Sequence, residues 1–284
     1  MKKVVKIILF ALLTSVFSVN FVSCSDDDDD DDGGASSVTS LPESTGTDEI
    51  SGKTWSQTND DNTTTLKFSS GTLTWTISGS VYECVDTYNY TYDSANKLIY
   101  LALTKQAMTT GSQTASWTSA SECSSVMSKS GGSGARLEDI VASTNAEFVT
   151  KKIFKYTISG TSLILEEYFD GTLPTMATFY GSNFQHELRE GYITLEDSSS
   201  DDKYNVYATF SNGSFSGKVY KETQSLEYTS LGTASGTYTV SGKGTSGGTV
   251  TLTFTSLPSG VSVVTANTAI ELTQSADSKT YTLQ

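Results

Sequence analysis

From Ile50 onward the chain alternates apolar and polar residues with a period of two, in short runs broken by glycine. In Thr72-Leu73-Thr74-Trp75-Thr76-Ile77, one face carries Leu73, Trp75 and Ile77 and the other carries three threonines. That is the side-chain period of a β-strand with one buried face. Residues 64–68 precede this run and turn into it at Ser69-Ser70-Gly71, a β-hairpin signature. Residues 88–92, 98–103, 152–158 and 163–168 continue the pattern. So do 206–210, 214–220, 238–240, 250–254, 269–272 and 281–283. With 3 prolines against 23 glycines, few ladders are interrupted and turns are well supplied.

Many half-buried strands leave edges to be closed, and a small antiparallel barrel closes them. The expected fold is all-β: two small antiparallel barrels in tandem, the first with a long loop and one helix inserted. The first domain is expected at 48–185, with the insertion at 104–149, and the second at 186–284. Residues 104–134 dissolve into Ser, Thr, Gly and Gln and read as a long loop. Across 135–149, Leu137, Ile140, Val141 and Phe148 fall on one face at helical spacing, and this helix is expected to cap a barrel end. The inward set of the first barrel would include Leu73, Trp75, Ile77, Ile99, Leu101 and Leu163. These are large residues, which favours a filled interior over a ligand cavity. Recognition would then fall to the long loop, where Trp117 is the only large aromatic and either anchors a partner or covers the barrel mouth.

Two local matches suggest an internal repeat. Phe68-Ser69-Ser70-Gly71 parallels Phe210-Ser211-Asn212-Gly213, and Tyr156-Thr157-Ile158-Ser159-Gly160 parallels Tyr238-Thr239-Val240-Ser241-Gly242. The spacing between the matches differs in the two halves. A second alignment, which sets Tyr92 against Tyr238, needs no insertion.

Ahead of the β region, Met1-Lys2-Lys3 leads into an apolar run from Val4 to Val22, interrupted only by the charge of Lys6. This is the layout of a secretory leader. The run ends at Phe21-Val22-Ser23-Cys24, which resembles the lipobox of bacterial lipoproteins. The resemblance implies a signal peptide over 1–23, cleavage before Cys24 and lipid on its thiol. Several acyl chains on one cysteine hold a protein on a membrane without a spanning helix. Ser25 and then Asp26, Asp27, Asp28, Asp29, Asp30, Asp31 and Asp32 follow. The block repels itself and reads as an extended, solvated tether over 24–47. It is also similar to the surface-export signal of some Gram-negative lipoproteins, which implies an outer-membrane protein facing outward.

With 32 acidic and 18 basic residues the net charge is −14, and loss of Lys2, Lys3 and Lys6 with the leader makes it −17. Such a surface repels phosphate backbones, so nucleic acid is not an expected partner. An oxidising envelope permits a disulfide between Cys84 and Cys123. One histidine, His186, and no C-x-x-C spacing argue against zinc.

Ser51-Gly52-Lys53-Thr54-Trp55, together with Leu66 to Gly71, Tyr90-Thr91-Tyr92 and Leu98 to Leu101, resembles the lipocalin-like domains of bacterial envelope lipoproteins. In lipocalins a Gly-x-Trp motif opens the first strand; here it is Gly52-x-x-Trp55, one residue longer. The resemblance covers roughly residues 50–180 and reaches 190–284 by internal analogy.

Catalytic chemistry has little to stand on. Gly-x-Ser-x-Gly at a strand-to-helix elbow is absent, as are a phosphate-binding loop and a dinucleotide fingerprint. Glu166 and Glu167 are strand neighbours and so point to opposite faces. The expected protein is not an enzyme, needs no cofactor, and has no catalytic or metal site. It is expected to be a lipid-anchored binding module for a small molecule, glycan or protein. A structural or adhesion lipoprotein is the second class, and an enzyme acting on carbohydrate the third.

Overall fold

The computed structural model describes residues 40–59, 62–196, 202–223, 225 and 227–284. The leader, Cys24 and the Ser25–Asp32 block lie outside the described residues.

The chain forms two eight-stranded antiparallel barrels, the all-β architecture expected. It agrees with the lipocalin-like resemblance at the level of fold. The first barrel begins with β1 (Thr54–Asn59), β2 (Asn62–Ser69), β3 (Thr72–Ser78), β4 (Tyr82–Asp93) and β5 (Leu98–Thr110). It continues through β7 (Lys152–Ser159) and β8 (Ser162–Glu167). Between β5 and β7 the chain makes β6 (Gln113–Trp117) and two helices, α1 (Ala120–Lys129) and α2 (Gly134–Val149). The second barrel is a meander of β9 (Phe179–Tyr180), β10 (His186–Arg189), β11 (Tyr192–Glu196), β12 (Lys203–Ser211), β13 (Ser214–Glu222), β14 (Tyr228–Ser241), β15 (Thr249–Ser256) and β16 (Ala269–Gln274).

The last strand, β17 (Ser278–Leu283), is not part of that second barrel. It pairs with β1 through Trp55↔Leu283 and with β8 through Tyr281↔Leu163, filling the gap between the first and last strands of barrel one. The second domain expected at 186–284 therefore needs correction. Barrel two is threaded into the path of barrel one, and Tyr281 is buried in the first core. The pattern 281–283 was correct as a strand, but alternation does not say which neighbour a strand will find.

Large apolar side chains pack into both interiors. Leu73, Ile99, Leu101 and Leu163 are buried as expected, while Trp75 is half-buried between Phe154 and Tyr281. Ile77, further along β3, is half-buried and lies outside that cluster. In barrel two, Phe215 meets Phe254 edge-on at 5.1 Å and Phe169 meets Phe179 at 4.9 Å. Edge-to-face contact at this distance is a favoured packing of aromatic side chains.

Three local expectations are corrected. Residues 104–134 are not a loop: β5 runs on to Thr110, β6 pairs back along it, and α1 follows. Serine- and threonine-rich strands resemble loops by composition, although threonine favours strands. The helix is present at Gly134–Val149, but of its apolar face only Phe148 packs against the core of barrel one. Leu137, Ile140 and Phe148 pack with Cys123, Met127 and Trp117 in a third, smaller core on the β5–β6 arm. The stretch read as a tether to residue 47 also ends early. Thr45 donates its N–H to the Tyr92 carbonyl at 2.8 Å and bridges to Asp93.

Candidate functional site

Barrel two closes where β9 meets β16, and β9 is only two residues long. The register is Thr273↔Tyr180 and Gln274↔Phe179; two further antiparallel steps would set Glu271 near Ser182. Instead the chain leaves this ladder after Tyr180 and coils into a single 3-10 turn, Ser182–Phe184. A groove of about 530 Å³ opens there, lined by Tyr180, Ser182, Phe184, Glu271, Thr273 and Ser275, among others.

The turn holds two consecutive residues in the left-handed region, Asn183 at φ 58° and Phe184 at φ 59°. Asparagine tolerates this backbone, but phenylalanine does so rarely, at a cost on the order of 1–3 kcal/mol. The Phe184 N–H donates to the Gly181 carbonyl at 3.1 Å, which fixes the turn. The Phe184 ring stands 5.1 Å from Tyr180 at 64° and remains 70% exposed. Behind the groove, the Gly181 N–H donates to the His186 carbonyl at 2.8 Å. His186 is half-buried, and burial lowers its pKa below 6.5, so the ring is neutral at neutral pH. Its Nδ1 is buried without a hydrogen-bond partner.

A second polar constellation joins the two barrels. Helix α2 belongs to barrel one by sequence but lies along the outer wall of barrel two. The Tyr207 hydroxyl donates to Asp139 at 3.0 Å, and the Tyr220 hydroxyl donates to Glu138 at 3.4 Å. The Arg136 guanidinium lies 5.4 Å from the Tyr228 ring centre. Three residues of one helical turn thus engage β12, β13 and β14. Asp139 is 3% exposed, and burial pushes its carboxyl up to about 6. Only part of that rise is offset by the Tyr207 hydrogen bond, which favours the charged form.

The other residues singled out in the sequence are in structural positions. Trp117 is 8% exposed and donates from Nε1 to Gln106 at 3.0 Å, so it presents little surface to a partner. Cys84 is half-buried, Cys123 is fully buried, and both are thiols; the envisaged disulfide is not formed. Cys123 lies 3.6 Å from the Thr144 hydroxyl, and burial pushes its thiol up to about 11. The Glu167 carboxylate is buried and accepts the N–H and hydroxyl of Thr178, each at 3.1 Å. Asp170 is held by Lys151 at 3.3 Å and by the Thr172 hydroxyl. These carboxylates tie down the segment that leads from β8 to β9. Among the described residues no group of three or more His, Cys, Asp or Glu side chains is placed to hold a metal. No helix among them is long and apolar enough to cross a membrane.

The groove was missed at the sequence level. Its signal is an absence, a ladder that stops after Tyr180, and no residue pattern marks it.

No family model, curated protein or solved structure matches the chain.

Proposed function

We propose that this chain is an extracytoplasmic lipoprotein that works as a non-catalytic binding module. Lipid on Cys24 holds it on the outer membrane, and the Ser25–Asp32 block directs it to the cell surface. The observation that carries the binding role is the contrast between two barrels packed with large apolar side chains and one exposed, backbone-strained aromatic, Phe184, in an open groove. Interiors packed in this way weigh against a carrier that swallows a small apolar ligand. They move recognition to the outer wall, where strained and exposed residues gather at functional sites. An adhesion role draws on the same exposed ring and differs in the size of what it meets.

Two experiments test the placement. Cys24→Ala should abolish palmitate labelling and leave a larger, uncleaved precursor; normal processing of that variant overturns the anchor. Replacing Asp26–Asp32 with Ser and Gly should keep the lipid but remove access to protease added outside whole cells. Unchanged access makes the block a spacer only.

A further inference from the structure

The seam groove has a chemistry narrower than "binding". Its apolar surface comes from the rings of Tyr180 and Phe184, whose centroids lie 5.1 Å apart. Its polar surface comes from Ser182, Glu271, Thr273 and Ser275, which offer hydroxyls and one carboxylate. No lysine or arginine lines it. We propose that it seats a neutral carbohydrate chain, a reading that rests on the binding-module role above.

A sugar ring matches both halves of this lining. Its C–H face is flat and apolar and packs on an aromatic face. Its rim of hydroxyls donates to a carboxylate and exchanges hydrogen bonds with threonine and serine. The absence of cations from the lining disfavours phosphate, sulfate or uronate groups, and the acidic chain repels them at longer range. The volume, about 530 Å³, lies within the roughly 300–1,000 Å³ of small-molecule sites.

A protein partner fits less well. Stable protein interfaces bury on the order of 1,000 Å² or more around a contiguous apolar centre. Among the described residues, the exposed large apolar side chains are Val81, Phe184 and Leu283. Val81 sits between β3 and β4, and Leu283 is in β17, both in the other barrel, so they do not extend the patch. The site is also preformed. The left-handed backbone of Asn183 and Phe184 and the edge contact with Tyr180 hold the ring outward before any ligand arrives.

The test is calorimetric titration of the full mature lipoprotein, in micelles of a zwitterionic detergent, with neutral linear hexasaccharides of glucose, xylose, mannose and galactose. At least one should bind. Phe184→Ala should weaken that sugar roughly tenfold or more, and Glu271→Gln severalfold, while Val81→Ala leaves it unchanged. Phe184 is exposed, so its loss should not unfold the barrel; an unchanged melting curve checks this. No binding across the panel overturns the carbohydrate assignment. Undiminished binding by Phe184→Ala overturns the groove as its seat and leaves the binding-module role standing. A photo-crosslinking side chain at position 184 that captures a cell-surface protein, with no sugar bound, reassigns the groove to a protein partner and also leaves that role standing.

Discussion

The ring of Phe68 meets the ring of Tyr90 edge-on, with centroids 5.4 Å apart and planes at 85°. In the second barrel Phe210 and Tyr238 repeat the contact at 5.4 Å and 81°. The backbone repeats it too. Tyr90 donates its N–H to the Gly71 carbonyl at 2.9 Å, and Tyr238 donates to Gly213 at 2.8 Å. Each barrel thus holds one three-strand unit in which a Phe-Ser-x-Gly hairpin is locked by a tyrosine on the third strand. The units are β2-β3-β4 and β12-β13-β14. The match of Tyr156 with Tyr238 does not fit this frame, because β4 and β5 separate β3 from β7 while β13 is followed directly by β14. The alignment that needs no insertion is the better one, with Tyr90 in place of Tyr92.

The repeated contact should carry repeated energy. A double-mutant cycle of Phe68→Leu with Tyr90→Leu should give a coupling of about 0.5–1.5 kcal/mol beyond the single losses. The cycle on Phe210 and Tyr238 should give the same within error. Denaturant unfolding of the four proteins in each set measures it, and a coupling near zero in either barrel would show that the shared geometry is incidental there.

Asp139 makes the junction between the barrels sensitive to pH. Its folded pKa lies above the ordinary value, so the unfolded chain releases this proton first. Its contribution to stability is complete below about pH 4, falls as pH rises towards about 6, and is flat above that. The loss approaches about 3 kcal/mol, since each unit is about 1.4 kcal/mol. Asp139→Asn keeps an oxygen to accept from Tyr207 and carries no charge. It should remove this slope and melt higher than the parent at pH 7. A parent–variant difference that does not change between pH 4 and 7 would mean that Asp139 is ionised normally.

Removal of residues 278–284 should open barrel one and spare barrel two. β1 and β8 would each lose one of two partners, and the buried Tyr281 ring would leave the first core. Hydrogen exchange should accelerate across β1, β2, β7 and β8 while β10–β15 stay protected. Uniform protection in the truncated chain would contradict the assignment of β17.

Cys123 should resist alkylation. With its thiol pushed up to about 11, only about one molecule in a thousand is thiolate at pH 8, and the sulfur is buried besides. Mass spectrometry after iodoacetamide treatment should find Cys84 modified well before Cys123 in the folded protein, and both modified in denaturant. Equal rates in the folded protein would mean that the α1 face opens readily.

Much of the fold was legible because a period of two is hard to produce in any other way. Thr72–Ile77 reads as a strand without help, and Leu137, Ile140, Val141 and Phe148 read as a helix. Helix α1 was hidden because its buried face is only Cys123 and Met127 among serines. A signal was nevertheless present. Ser119-Ala120-Ser121-Glu122 is a capping-box pattern: the Ser119 hydroxyl accepts from the Glu122 N–H at 3.1 Å, and the Glu122 carboxylate reaches back to the Thr118 N–H. The β5–β6 arm was concealed by its polarity, although Thr109 and Thr114 face each other across it with hydroxyls 3.0 Å apart. What no local pattern contains is a pairing such as Trp55 with Leu283. The candidate groove is of the same kind, since it arises where pairing stops.

The return of β17 sets an order in time. A ribosome delivers Trp55 long before Leu283, and loop closure across most of the chain carries an entropy cost that nearest-neighbour hairpins avoid. Barrel two is complete in sequence at Gln274, just before β17 exists, so it can close while barrel one waits with an open seam. The Gln284 N–H bonds the Thr54 carbonyl at 2.9 Å, tying the residue after β17 to the first strand. A chain that lacks β17 can therefore hold a finished second barrel beside a first barrel whose seam is still open.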